Sequence, residues 1–162
     1  MVRFEGIDEP ALAALARALA TRVREGGVIY LVGPLGAGKT TFARALLHAL
    51  GVGARVKSPT YTLIESYAAG GLTAHHLDLY RIAVAEEIEW LGLRDLASGA
   101  QLWLIEWPER AYGALPAPDL NVELAHAPSG RDVALSAATQ LGESWLRDLD
   151  VVSLQQQVRG NS

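Results

Sequence analysis

The stretch that begins at Val32, VGPLGAGKTTFARALLHALG, restricts the fold more than any other part of the chain. Gly33, Gly38, Lys39 and Thr40 fill the pattern G-x-x-x-x-G-K-[ST], which carries meaning only between a strand and a helix. Both flanks are present. VIYLV (28–32) is a short apolar run of the kind a strand covered on both faces shows. After the loop, Phe42, Ala43, Leu46, Leu47 and Leu50 recur at a helical period, and Gly51 is a stop signal. Glycines let several backbone N–H groups point at one anion, and the helix N-terminus adds partial positive charge. Lys39 then neutralises the β- and γ-phosphates of a nucleotide, and Thr40 offers a hydroxyl to Mg2+, which is bound largely through substrate phosphates. A glycine turn that happens to carry a lysine is the competing reading, and the flanking strand and helix count against it. Thr41 either reaches an α-phosphate or is simply the next helical residue.

The other elements follow from periodicity and punctuation. Asp8, Glu9 and Pro10 open a helix whose Leu12, Leu15, Ala16, Leu19 and Val23 form one apolar stripe, ended by Gly26 and Gly27. Tyr61 to Tyr67 and Leu72 to Leu77 read as a hairpin turning at Gly70 and Gly71. Residues 83–91 read as an acidic helix, and Leu102 to Trp107 (LWLIEW) as a second strongly apolar strand. Leu120 to Ala125 and Asp132 to Ser136 flank SGR as a closing hairpin, and Trp145, Leu146 and Leu149 anchor a last helix. The expected fold is α/β, a P-loop NTPase-like three-layer arrangement with a central mixed sheet flanked by helices. Residues 1–150 are expected to form one domain and 151–162 a frayed tail.

A phosphate loop needs an acid at the end of a neighbouring strand to hold Mg2+ through its water shell. Two candidates stand in such places, since ligands of open α/β sheets gather at the carboxyl ends of strands. Glu106 ends LWLI and is favoured as the metal-associated acid, while Asp78 ends LTAHHL and is favoured to orient water or metal. Against both stands a plain helix cap or surface acid. Trp107 is by alternation either a packed core residue or, next to Glu106, part of the site. Ser58, Pro59 and Thr60 are either a switch segment sensing the γ-phosphate or a proline turn into a strand. In HLDLYR, Arg81 is either a charge-stabilising finger or a surface and partner contact, and adjacent His75 and His76 lack a third ligand for a metal. Glu86, Glu87 and Glu89 are a solvated face that doubles as an acidic docking surface.

With no cysteine among 162 residues, disulfides, thiolate metal sites and cysteine nucleophiles are excluded. A net charge of −4, with only Lys39 and Lys57 as lysines and no clustered arginines, makes direct grip on many RNA phosphates unexpected. A partner would have to hold any nucleic acid. No apolar run approaches a membrane span, and MVRFEGIDEP lacks a signal peptide's apolar segment, so a cytoplasmic protein is expected.

Read together, GPLGAGKTTFARALLHALG, VKSPTYTLIESY, HLDLYRI, EEIEWLGLRD and LIEWPER closely resemble the TsaE family of bacterial P-loop ATPases, over residues 7 to 138 in unbroken order. The resemblance implies ATP and Mg2+ as ligands. It implies a part in making threonylcarbamoyladenosine at position 37 of tRNAs that read codons beginning with A, with the partner proteins TsaB and TsaD. It carries phosphate-loop roles to Gly33 through Thr41, with Gly36, Ala37 and Gly38 among them, and a switch role to Ser58 and Thr60. An essential acid falls on Asp78, a Walker-B-type glutamate on Glu106 and its neighbouring tryptophan on Trp107. An acidic position near the nucleotide matches Glu9, and the arginine of a closing GR turn matches Arg131. The alanine-rich first helix and the C-terminal tail depart from the family pattern. A weak ATPase stimulated by partners is thus expected, with water as phosphoryl acceptor. The alternatives are a small-metabolite kinase, for which no arginine-rich lid segment is visible, and a nucleotide sensor that never hydrolyses.

Overall fold

The computed structural model describes residues 1–53, 56, 57, 59, 62–83, 100–147 and 149. Strand β1 (Val2–Ile7) precedes helix α1 (Glu9–Ala20), strand β2 (Gly27–Val32) and helix α2 (Lys39–Ala49). Then come β3 (Ile64–Ala69), β4 (Leu72–Asp78) and β5 (Ala100–Glu106). A short 3-10 turn (Pro108–Arg110), β6 (Leu120–His126), β7 (Arg131–Ala137) and helix α3 (Gln140–Arg147) complete the described elements.

All seven strands join one sheet in the order β1-β7-β6-β2-β5-β4-β3. The inner four, β6, β2, β5 and β4, run parallel, while β7, β1 and β3 pair antiparallel at the two sides. This is the expected α/β fold with a mixed central sheet. Strand β2 lies between β5 and β6, so the loop leaving its carboxyl end opens where the chain order on either side diverges, the place where such sheets bind ligands.

Helices α1 and α2 cover one face. Asp8 caps α1 by accepting the Ala11 N–H at 2.9 Å, and Leu12, Leu15 and Leu19 of its stripe bury fully against Phe42, Leu46 and Leu47 of α2 and Ile29 and Leu31 of β2. Each such side chain contributes about 1.5–3 kcal/mol by leaving water. Val28, Tyr30, Leu77 and Ile105 point to the opposite face and form a second apolar cluster with Leu79, Ile82 and Ala111. Trp145 of α3 buries in the first cluster, as expected of the last helix.

Three features differ from the sequence reading. Residues 2–7, to which no element was assigned, form β1, whose Phe4 and Ile7 are buried; the Gly6 turn and a register shift between Phe4 and Ile7 break the alternation that marks a strand. Strand β3 begins at Ile64, not at residue 61, because Leu63 is in the left-handed region (φ 66°) with its N–H on Pro59 O at 2.8 Å. Finally, Trp107 also has a positive φ (58°), so strand alternation stops at Glu106 and does not govern where Trp107 points. The expected helix at 83–91 and the tail at 151–162 lie outside the described residues beyond Ala83.

Adjacent His75 and His76 fall on opposite faces. His75 accepts from Ser66 Oγ through Nδ1 at 2.7 Å and donates Nε2–H to Gln101 Oε1 at 2.5 Å, with its ring 4.3 Å from that of Trp103. Burial holds the His75 imidazole below its ordinary pKa, and the Gln101 bond only partly opposes this. A histidine with a lowered folded-state pKa leaves stability complete above the ordinary value of 6.5 and erodes it as pH falls below. The melting temperature should therefore drop between about pH 7 and pH 5, and His75→Gln should flatten that slope, as read by calorimetry.

A second stability prediction concerns Gly33. Its φ is +153°, and a Cβ there would collide with the Leu124 carbonyl of β6. Gly33→Ala should cost about 1–3 kcal/mol in thermal or urea denaturation. Gly53→Ala, where an added Cβ meets nothing within 4 Å, should stay within about 0.5 kcal/mol of the parent.

Candidate functional site

Between β2 and α2 the backbone must reverse within six residues, and Gly33, Gly36 and Gly38 do this at φ values of 153°, 75° and 110°. Gly33 lies behind the loop against β6, where its missing side chain admits the Leu124 carbonyl. Ala37 is buried and donates its N–H to Pro34 O at 3.2 Å, tightening the turn. His126, at the end of β6, donates to Leu35 O at 2.9 Å and ties the outer side of the loop to the sheet. The loop is thereby fixed from beneath and from the side.

Lys39 is 4% exposed. Its ammonium donates to Gly33 O at 2.5 Å and Pro34 O at 2.8 Å, and it sits 4.2 Å from the centre of the Trp107 ring. Burial lowers the Lys39 pKa, while the charges of Glu106, Glu109 and Asp78 pull it back up. The left-handed turn at Trp107 places the indole over the lysine and at the cavity, while the residue also packs against the second apolar cluster, so both of its sequence readings describe part of its surroundings. Tyr80 packs 5.0 Å from the Trp107 ring, and the Arg110 guanidinium lies 5.5 Å from the Tyr80 ring.

The two acids arrive together because β4 and β5 are parallel and in register, with Asp78 opposite Glu106. Glu106 is 2% exposed, and its Oε1 accepts the Thr40 hydroxyl at 2.8 Å. Its Oε2 accepts His76 Nε2–H at 2.6 Å. His76 is wholly buried, and its Nδ1 has no hydrogen-bond partner among the described residues, a defect that costs about 1–3 kcal/mol. Asp78 Oδ1 accepts the Tyr80 N–H at 3.0 Å. Burial raises the Asp78 pKa; the Tyr80 bond works against this, and the Glu106 charge adds to it.

These groups line a cavity of about 580 Å³. Of the residues picked from the sequence, Gly36, Gly38, Lys39, Thr40 and Thr41 form its floor with Asp78 and Glu106. Glu9, Trp107 and Arg131 also line it, and Arg131 passes so close to Gly38 that a Cβ there would strike its guanidinium. Gly33 and Ala37 support the loop from behind the cavity. Ser58 and Thr60 lie outside the described residues. Leu35 of the phosphate loop, Arg81, weighed as a charge-stabilising finger or a partner contact, and Tyr80, to which no nucleotide role was given, line the cavity as well. The position of Tyr80 and Arg81 just past a strand that ends in Asp78 was the available signal. His76 was set aside for want of a third metal ligand, and its bond to Glu106 required the β4–β5 register.

The donors suit a hard cation: one hydroxyl and two carboxylates, all oxygen. Among the described residues no three His, Cys, Asp or Glu side chains form a metal cage, so phosphate oxygens would have to complete the coordination of Mg2+. The glycine loop, the buried lysine and the helix start supply the complementary anion site.

No described helix is long and apolar enough to cross a membrane. The family model described as threonylcarbamoyl adenosine biosynthesis protein TsaE matches residues 7–133. The tRNA threonylcarbamoyladenosine biosynthesis protein TsaE of Haemophilus influenzae is 44% identical over 117 residues, 72% of this chain and 74% of that protein. Its namesake in Bacillus subtilis is 34% identical over 126 residues, 78% of each chain. The crystal structure of YdiB from Bacillus subtilis superposes with a TM-score of 0.70 at 24% identity, covering 96% of this chain and 95% of that one, a likeness of fold. With a phosphate loop, a lysine and two register-matched acids inside the matched span, this chain belongs to the TsaE family.

Proposed function

We propose that the chain is an ATPase subunit of the machinery that makes threonylcarbamoyladenosine at position 37 of tRNAs reading codons that begin with A. Its hydrolysis of ATP would time the cycle of a TsaB–TsaD complex, which holds the tRNA. The observation that carries the reading is the contact between Thr40 and Glu106 at 2.8 Å, which joins the phosphate loop to an acid at a strand end beside Asp78. A phosphate-binding turn with a merely structural role has no need of two buried carboxylates on its open side, where burial disfavours their charge.

In this reading the amides from Gly33 to Thr41 bind the phosphates, and Lys39 leaves the carbonyls of Gly33 and Pro34 for the β- and γ-phosphate oxygens. Thr40 and Glu106 would hold Mg2+, directly or through water, and a bound cation would supply charge neutralisation at the phosphates. Asp78 orients the attacking water or the metal's water shell. Its raised pKa, set mainly by burial, suits a group that accepts a proton as the water attacks. The γ-phosphorus–oxygen bond to ADP breaks as the bond to water forms. Glu9 and Arg131 border the nucleotide, Trp107 stacks over Lys39, and Ser58 and Thr60 sense the γ-phosphate. The charge of −4 fits a subunit that reaches tRNA through partners, working in the cytoplasm.

Reconstitution with TsaB, TsaD, unmodified tRNA, ATP and threonylcarbamoyl-adenylate tests this reading. Adding the protein should sustain modification over repeated turnovers, and Lys39→Ala should lower single-turnover ATP hydrolysis by at least about a hundredfold. Asp78→Ala should lower hydrolysis by about 10²–10⁴ while ATP affinity changes by less than about threefold. Modification indifferent to the protein would overturn the reading, a phosphorylated small metabolite would establish a kinase, and full support by Asp78→Ala without hydrolysis would establish a nucleotide sensor.

A further inference from the structure

The bond network does not end at the acids. Thr40 donates to one oxygen of Glu106, and the other oxygen accepts from His76, so three elements are joined in series: the first turn of α2, the end of β5 and the interior of β4. In register, His76 stands opposite Leu104 and is therefore diagonal to Glu106, on the face of β4 that also carries Asp78. The diagonal needs a side chain long enough to bring a donor to the carboxylate, and imidazole Nε2 does so at 2.6 Å.

Packing alone gives no reason for this residue. Earlier positions on the same face are Leu72 and Ala74, and an apolar side chain at 76 would leave no ring nitrogen stranded, only Glu106 Oε2 without its donor. His76 instead keeps Nδ1 buried and unpaired, whereas His75, one residue earlier, is bonded at both nitrogens. A buried polar defect persists where the group that makes it has work to do.

We propose that His76 is a positioning residue for the metal-associated carboxylate, a role that rests on the Mg2+–ATP reading of the cavity. Its Nε2–H pins one Glu106 oxygen and so fixes the other to accept the Thr40 hydroxyl proton. The Thr40 lone pairs are then free to face a cation. Neighbours that orient ligands in this way usually set metal affinity by about 10–100-fold.

Calorimetric titration of the whole protein with ADP, metal-free and at graded Mg2+, decides the matter for the wild type and three variants. His76→Leu removes the donor, His76→Asn carries an amide too short for the diagonal, and His76→Gln brings its amide nitrogen close to the place of Nε2. Metal-free ADP affinity should agree within about twofold across all four, because the loop amides and Lys39 are untouched. The Mg2+ concentration that half-saturates the tightening of ADP should rise about 10–100-fold in His76→Leu and His76→Asn and stay within about threefold of wild type in His76→Gln. If His76→Leu does not fold, the contrast between His76→Asn and His76→Gln carries the test. An unchanged Mg2+ requirement in every folded variant, or His76→Gln as impaired as His76→Asn, would overturn the role of His76 and leave the ATPase reading intact. A wild-type protein whose ADP binding ignores Mg2+ would overturn both.

Discussion

The loop between β2 and α2 has to turn a strand that is buried on both faces into a helix that packs over the same sheet, and it does so with almost no free volume beneath it. At Gly33 the backbone lies against the Leu124 carbonyl, and at Gly38 against the Arg131 guanidinium. Those two contacts tie the loop to β6 and β7, through residues more than 90 positions away in sequence. The far hairpin is therefore part of the phosphate site although only Arg131 lines the cavity with it. The antiparallel pairing of β6 with β7, and of β7 with β1, holds the wall against which the loop is pressed.

Three charged side chains share the open side of this loop almost without solvent. Lys39, Asp78 and Glu106 are 4%, 8% and 2% exposed. Burial shifts Lys39 down and Asp78 up, each toward its neutral form; the charges of Glu106, Glu109 and Asp78 oppose this at Lys39, and the Tyr80 N–H, with Lys39, opposes it at Asp78. Glu9, Arg81 and Arg131 line the same cavity, so its charged side chains number three of each sign and the acids stand beside the phosphate loop without an overall excess. In the Mg2+–ATP reading the carboxylates would weaken the hold on a bare polyphosphate, and a cation, with no cage of His, Cys, Asp or Glu among the described residues, would draw on phosphate oxygens, so each ligand would favour the other.

What could be read from the sequence depended on the range of the determining interaction. The helix at Asp8, the strand at Val28, the phosphate loop and the 120–137 hairpin are set by caps, periods and turns within a few residues, and all are present in the fold. Strand β1 was not legible, because Gly6 and a register shift interrupt its alternation and its reason for being a strand is a pairing with β7. Trp107 was ambiguous for a related cause. Alternation applies only while the strand continues, and a positive φ at that residue, which its type does not announce, redirects the indole to Lys39. Asp78 and Glu106 were legible as strand-end acids, but their register, which makes them a pair, belongs to the sheet.

The histidines of β4 make the same point at the scale of one peptide bond. A strand sends successive side chains to opposite faces, so two identical residues meet unrelated surroundings. His75 enters a closed network with Ser66 and Gln101, where both nitrogens are satisfied and the ring lies tilted against Trp103. His76 faces α2 and Glu106 with one nitrogen satisfied and one not. The first arrangement stabilises a neutral ring and rewards the fold; the second leaves a defect beside a carboxylate that the threonine after the loop lysine also needs. A one-residue slip of β4 that put Leu77 in the place of His76 would leave Glu106 without its donor while the composition of the strand stayed the same. Register, rather than the presence of histidine, is what couples β4 to the phosphate loop.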